Sequence, residues 1–362
     1  MFIYLLLAAG LFMGWSLGTN DAANAFGTAV ATRVVKYRTS IIIIAIMVLL
    51  GAALLGFQSV DKLSSIAINN EVSASVEDVN QAIATGTLKD LQLKSALKAF
   101  IIFACAGITV FGMSYLKFPV SANQSITGAV IGWGLCYANY SDPAVKSGNI
   151  SEILEFMSTW LINPIGAAII SFVLVFIVKK FIEKRLTSMK SYDKIIKIGY
   201  ICAGAFSAFS IGQNSSASVT AFYYDKTGLG ANLIYKDFGW FTADRIVAII
   251  GGIAIAVGVL TFSKRVMMTV GSSIAEISQM DGFLVIIAMA LTVVIMGNWM
   301  GIPVSTSQAV VGAVVGAGLT RGARNVHFGV FKNIAIAWVS SPTVAGLLAY
   351  GVAWASQNYF AV

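Results

Sequence analysis

Charge is scarce in this chain of 362 residues. Asp, Glu, Lys and Arg make up 11% of it against 57% hydrophobic residues, and the mean hydropathy is +0.82. Soluble domains carry about 25% charged residues. That scarcity excludes a soluble globular protein and predicts an integral membrane protein of the cell membrane, with the lipid bilayer as its first partner. Histidine is reduced to His327, in a polar connection, which removes His-based metal sites and proton relays. The cysteines, Cys105, Cys136 and Cys202, are odd in number, lie in apolar segments and show no CxxC spacing, so neither a disulfide framework nor a zinc site is expected. With no His, Cys or paired-carboxylate constellation, the chain holds no nucleophile with a base. It is not expected to be an enzyme or to carry a cofactor. Alternating segments of about ten residues, the mark of a transmembrane barrel, are also missing. The expected fold class is all-α and polytopic.

Long apolar runs supply the spans: Ser40 to Ser59, Ala96 to Leu116, Asn149 to Val178, Thr242 to Phe262, Phe283 to Met300 and Val330 to Ser356, each near or above the ~20 residues a crossing needs. Met1 to Leu17 has no basic start and its pattern continues past any cleavage point, so it reads as the first transmembrane helix rather than a secretory signal. The net charge of +8 sits between spans, not on a basic soluble domain. It sets orientation and implies no nucleic-acid partner.

Only five prolines occur, yet two recur in one context. Leu116 to Leu135 reads LKFPVSANQSITGAVIGWGL and Met300 to Leu319 reads MGIPVSTSQAVVGAVVGAGL, with half of the aligned positions identical. Two further blocks repeat in the same order: LGTNDAANAFG from Leu17 with IGQNSSASVTA from Ile211, and the block from Thr159 to Pro164 with that from Ala337 to Pro342. Three matches in register indicate a duplicated chain. The repeats are 1–180 and 199–362, joined by a basic connection over 181–198.

Short cytoplasmic loops carry the Lys/Arg excess. Arg33, Lys36 and Arg38, then Lys179 to Lys197, then Arg321, Arg324 and Lys332 should face the cytoplasm. The acid-balanced connections Asp61 to Lys98 and Asp225 to Asp237 should lie outside. These sides make the two repeats inverted in topology, with broken helices and re-entrant helical hairpins at about 97–138 and 283–320. Charge parity alone does not separate a hairpin from two full crossings, and we favour hairpins. Their tips would meet near the midplane, where inverted-repeat transporters hold substrate.

Pro119 and Pro303 are expected where a helix restarts, and a helix N-terminus with its free amides is an anion site. Ser121, Asn123, Gln124 and Ser125 on one tip, with Ser305, Thr306, Ser307 and Gln308 on the other, add donors suited to a tetrahedral oxyanion. Any single Ser-x-x-Gln is more often an ordinary cap, but duplication at matching positions favours a site. Asp21 is the one charged residue within 1–32. An intramembrane acid costs ~2.5 to 3.5 kcal/mol on insertion scales and is a functional candidate by default. Asn20, Asn24 and Thr28 supply neutral oxygens near it for a hard cation such as sodium. In the second copy Asn214 recurs, Ser215 stands where an acid would match Asp21, and Ser218 matches Asn24.

Gly18-Thr19-Asn20-Asp21-Ala22-Ala23-Asn24-Ala25 and the two Pro-Val-Ser blocks resemble the inorganic phosphate transporter (PiT) family. That family's signature is Gly-x-Asn-Asp-x-Ala-Asn-Ala with Pro-Val-Ser segments in two inverted halves. The resemblance implies cation-coupled symport of inorganic phosphate, with some members carrying sulfate, and a homodimer as a family-level trait. Gln124 and Gln308 stand where many members have histidine, which favours sodium over protons as the coupling ion. A phosphate dianion entering against 100 mV costs about 4.6 kcal/mol at ~2.3 per charge, so at least two monovalent cations must accompany it. The expected function is sodium-coupled phosphate uptake by alternating access. A proton-coupled phosphate or sulfate permease and a passive anion channel are the alternatives.

Overall fold

The computed structural model describes residues 2–69, 88–137, 143–182, 189–220, 242–293, 295–296 and 305–359. Much of both connections expected outside, Pro303, and part of the 181–198 connection lie outside the described residues. The helices are α1 (Phe2–Ala31), α2 (Tyr37–Asn69), α3 (Leu88–Tyr115), α4 (Ala122–Tyr137), α5 (Pro143–Ile177) with a π turn at Val178–Ile182, and α6 (Met189–Thr220). Then come α7 (Ala243–Phe262), the short α8 (Lys264–Met268) with a π turn at Thr269–Ser273, α9 (Gln279–Thr292), α10 (Thr306–Leu319) and α11 (Phe328–Tyr359). Six of these, α2, α3, α5, α6, α7 and α11, are long and apolar enough to cross a membrane. The chain is an all-helical, multi-pass membrane protein.

Three features of the helices bear on the sequence reading. First, within the run from Phe283 to Met300 the α-helix reaches Thr292, π turns follow at Val293, Ile295 and Met296, and the remaining residues lie outside those described; α10 has 14 residues, about 21 Å at 1.5 Å per residue. Secondly, the Asn-Asp block lies within an unbroken helix. α1 runs through it from Phe2 to Ala31, because Ala, Asn and Gly hold helical geometry there when every face is packed. Thirdly, Pro119 is not the first helical residue: α4 begins at Ala122, with Ser121 accepting the Gln124 amide as its cap (3.4 Å). Proline instead sets the extended approach to the cap, where its missing N–H costs no helical bond.

α1 is the hub. From Ser16 to Ala29 it is buried throughout, and it packs on α3, α6, α7, α8 and α9. Little drives helices together in lipid except close packing of small residues, and the glycines show how this is done. A Cβ on Gly18 would strike the Ile255 carbonyl of α7, and one on Gly258 the Trp15 carbonyl of α1. The repeat-related pair does the same: Gly212 of α6 meets the Val48 carbonyl of α2, and Gly51 meets Phe209. Gly128 and Gly132 of α4 lie on the Pro342 and Gly346 carbonyls of α11, whereas Gly312 and Gly316 of α10 lie on those of Pro164 and Ala168 in α5. Each contact is thus made twice, with the sequence-matched blocks exchanged.

Direction follows from these pairs. Gly18 meets Ile255 and Gly27 meets Met267, so α1 runs parallel to α7 and α8. Gly56 meets Ala248 while Tyr37 bonds Ser263, so α2 runs antiparallel to α7. Gly51 meets Phe209 and Gly56 meets Ser216, so α2 runs parallel to α6. Consequently α1 and α6 point in opposite directions.

Candidate substrate and cation site

Three polar residues on one turn and a half of α1 bind both Pro-Val-Ser regions. Asn20 holds the first: its Nδ2 donates to Ser114 Oγ (2.9 Å) and to the Phe118 carbonyl (3.0 Å), and its Oδ1 accepts from the Val120 amide (3.1 Å). Asn24, one turn on, holds the second: its Nδ2 donates to Thr306 Oγ1 (3.0 Å) and Ser307 Oγ (3.1 Å). Between them Asp21 Oδ1 accepts from Ser307 Oγ (3.2 Å) and from Asn24 Nδ2 (3.3 Å). All three side chains are buried. Residues i and i+4 on a helix lie about 5–6 Å apart, so the two tips reach α1 on either side of one carboxylate.

The tips are held from behind by the opposite half. Asn163 Nδ2, beside Pro164 in α5, donates to the Ser305 carbonyl (2.9 Å). Trp338 Nε1, one turn before Pro342 in α11, donates to the Pro119 carbonyl (3.0 Å). Ser121 and Ser305 are therefore caps whose oxygens accept the Gln124 and Gln308 amides, each at 3.4 Å. Their hydroxyl hydrogens, and the amides of the first helical residues, which have no intrahelical acceptor, remain donors. Ser125 Oγ is committed to the Ser121 carbonyl (3.3 Å). Gln124 and Gln308 are buried, and neither atom of either side-chain amide has a hydrogen-bond partner among the described residues. Asn24 Oδ1 is in the same condition. Buried polar atoms are nearly always paired. These five atoms lie at the two tips and beside Asp21; Asn163 Oδ1 and Ser171 Oγ of α5 and Ser341 Oγ of α11 also lack a partner among the described residues.

The remaining sequence candidates are distributed differently. Thr28 lies two turns beyond Asp21 and donates to the Gly282 carbonyl (3.0 Å), joining α1 to α9. Asn123 and Asn214 are exposed and Ser215 is half-buried; none of the three is bonded to the Asp21 cluster by a described hydrogen bond. The Ser218 side chain lies outside the described residues. The burial around the carboxylate is thus one-sided: it encloses the first half's block and the second tip.

Four residues of this architecture were not singled out from sequence. Asn163 sits in the third repeated block, and its duplication was the available signal. Trp338, in the second copy of that block, is buried and bonded to the first tip. Ser114 gave no signal. Asp281 is fully buried and binds Lys179 Nζ (2.9 Å) and Arg321 (2.7 Å), with a reciprocal capping box to Ser278. The Ser-x-x-Asp pattern before an apolar run was its sequence signature. This triad joins the start of α9, the end of α10 and the end of α5, so both arms of the second Pro-Val-Ser segment return to one end of the molecule.

A multi-pass helical bundle that encloses a carboxylate and two donor-rich helix starts has the architecture of a membrane transport protein. Comparison with known proteins gives the particular kind. A family model described as the phosphate transporter family matches residues 17–349, and the chain belongs to that family. A protein of Methanocaldococcus jannaschii described as a phosphate permease is 29% identical, with 96% of each chain covered. A second, of Pyrococcus horikoshii, is 26% identical over the same shares. A chloroplast inorganic phosphate transporter of Arabidopsis thaliana is 23% identical over 97% of this chain and 71% of its own. A solved structure titled as the sodium-dependent phosphate transporter superposes with a TM-score of 0.69 at 23% identity, covering 99% of this chain and all of the other.

Proposed function

We propose that the protein takes up inorganic phosphate coupled to sodium by alternating access. In this reading the halves 1–180 and 199–362, joined by the basic connection 181–198, are inverted repeats. The opposite directions of α1 and α6 and the exchanged glycine contacts support that inversion. The 14-residue length of α10, together with the Asp281–Arg321 pair that joins its end to the start of α9, supports re-entrant hairpins over full crossings.

The observation that carries the reading is the sharing of α1 by both tips. Phosphate oxygens would accept from the first-turn amides of the two helix starts and from the hydroxyls of Ser121, Ser305, Thr306 and Ser307, with Asn123, Gln124 and Gln308 completing the shell and Ser125 joining it once its hydroxyl leaves the Ser121 carbonyl. Sodium would sit at Asp21 with oxygens of Asn20, Asn24 and, farther along α1, Thr28; Asn214, Ser215 and Ser218 form the second half's weaker counterpart. Ser307 is the link between the two ligands. Its O–H now points at Asp21 Oδ1 (3.2 Å), and a cation on that carboxylate would take the hydroxyl oxygen as a ligand and turn its hydrogen toward the anion. Coupling then needs no large movement at the site. The unbroken α1 leaves no free backbone carbonyls around Asp21, so the second cation that charge balance calls for must use other oxygens. The carbonyl of Trp338, which Pro342 cannot bond four residues later, is one such source.

The name of the solved relative, which speaks of sodium for that protein, supports sodium over protons here. Phosphate uptake into proteoliposomes with and without a sodium gradient tests the reading, and uptake driven equally by a proton gradient alone would reject it. Asp21→Asn should abolish sodium dependence while the protein stays folded, and unchanged sodium dependence in that variant would remove Asp21 from the cation site.

A further inference from the structure

We propose that Gln124 and Gln308 are the residues that separate phosphate from sulfate, by accepting the hydrogen of a P–OH group. The inference rests on the reading that the two tips bind phosphate, and it assigns to these glutamines a role that the other donors of the tips cannot fill.

Both residues occupy the third helical position after a serine cap, at matching places in the repeat. Each is 1% exposed, and in each both amide atoms lack a partner among the described residues. Helical Cα–Cβ bonds tilt toward the helix N-terminus, so both side chains lean toward the tip from which they start. Both also share a helix face with the glycine one turn on, Gly128 or Gly312, which lies against the opposite half's proline helix. That face looks into the junction between the halves, not into lipid.

Backbone amides and hydroxyls donate to any tetrahedral oxyanion, because P–O⁻ and S–O⁻ accept alike. Donors therefore supply affinity without choosing. An acceptor chooses. At neutral pH inorganic phosphate keeps at least one P–OH, whereas sulfate has no hydrogen to give. A side-chain amide and hydrogen phosphate form a two-point pair, with N–H donating to P–O⁻ and C=O accepting from P–OH. With sulfate, every orientation of the amide leaves its oxygen unpaired and buried. Turning the amide over does not relieve this, since neither atom finds a protein partner in its place. Sites built to bond a substrate hydroxyl reject analogues lacking it by as much as ~10⁴-fold; an amide that can still offer N–H₂ to sulfate should reach about 100-fold.

The test is competition against labelled phosphate uptake in proteoliposomes, using arsenate, sulfate and monofluorophosphate. Arsenate carries the hydroxyl; monofluorophosphate has the shape and charge of hydrogen phosphate without it. Arsenate should compete at concentrations close to those of phosphate itself, with sulfate and monofluorophosphate about 100-fold weaker. Gln124→Met and Gln308→Met keep the side chain's length and remove the amide. Each should raise the KM for phosphate about 10-fold while leaving sulfate inhibition nearly unchanged. A merely structural role would weaken both anions together, and that result overturns the proposal. So does robust phosphate uptake inhibited as well by monofluorophosphate as by arsenate, a comparison that needs no variant. Absence of any phosphate uptake by the wild-type protein would instead defeat the underlying reading of the tips.

Discussion

Gly312→Ala isolates the contact that places the second tip. A Cβ at this position would lie 2.8 Å from both the carbonyl carbon and the Cα of Pro164, and closer still to the carbonyl oxygen. Ordinary carbon–carbon contact is about 3.5–4.0 Å, and the obstacle is backbone, so α10 must part from α5 by roughly 1 Å. Overpacking of this kind costs about 1–3 kcal/mol, from which the better helix propensity of alanine returns up to ~1 kcal/mol. The larger effect is on geometry. Asn163, next to Pro164, fixes the Ser305 carbonyl at 2.9 Å, and parting the helices stretches that bond and moves Ser307 relative to Asp21. Misplacement by ~1 Å at a tuned site can cost about 100-fold in rate, so we expect kcat/KM for phosphate to fall by tens to ~100-fold, with a modest loss of Tm in detergent. Gly128→Ala, the repeat-related change against Pro342, should behave alike. Gly112→Ala and Gly134→Ala, whose added Cβ meets nothing within 4 Å, should transport normally. Wild-type uptake by Gly312→Ala, or equal damage from Gly134→Ala, would refute the packing argument.

Two further changes probe the polar contacts. Asn20→Ala strands the Val120 amide and Ser114 and frees the first tip from α1; about 1–3 kcal/mol of binding should be lost, seen as a raised KM for phosphate with little change in protein yield. Asp281→Asn leaves Lys179 and Arg321 without their shared carboxylate. Fully buried pairs cost about 3–5 kcal/mol to break from one side, but both cations are partly exposed here, so roughly 1–3 kcal/mol of local stability should go. Faster labelling of a cysteine introduced beside Thr320 would report the loosened end, and an unchanged labelling rate would count against the triad as a clamp.

The helical class and the helix starts after the two Pro-Val-Ser blocks were legible because each rests on a local pattern: the scarcity of charge, and a proline followed by a Ser-x-x-Gln cap and spaced glycines. The convergence of Asn20, Asp21 and Asn24 with the tips was half-legible. Sequence separated a cation block from an anion block, whereas Asn24 and Ser307 join them, and a contact between residues 283 positions apart leaves no local trace. The roles of Asn163 and Trp338 were hidden for the same reason: each donates to a backbone carbonyl in the other half, and a carbonyl has no sequence signature. Trp338 is a case in point: a tryptophan of a membrane helix is often an interface residue, but this one is buried and its N–H finds the Pro119 carbonyl.

The duplication is faithful in packing and unfaithful in charge, and the two facts have different physical origins. Close glycine–carbonyl contacts must occur in pairs, because each half's hairpin rests on the other half's proline helix; losing one copy would unseat one tip. Electrostatic contacts carry no such demand. Lys179 donates to Thr320 Oγ1 (3.3 Å) and pairs with Asp281. At the repeat-related place Cys136 Sγ meets Gln357 Oε1 (3.6 Å), and Leu97 stands where Asp281 would correspond. The ion triad of Lys179, Asp281 and Arg321 thus ties the two halves together, whereas the corresponding described positions carry a weak thiol contact in place of an ion pair. On the alternating-access reading proposed above, such an inequality would favour closure at the triad's end, which also carries Arg33, Lys36 and Arg324, and a bound ligand would have to supply differential affinity to reverse it.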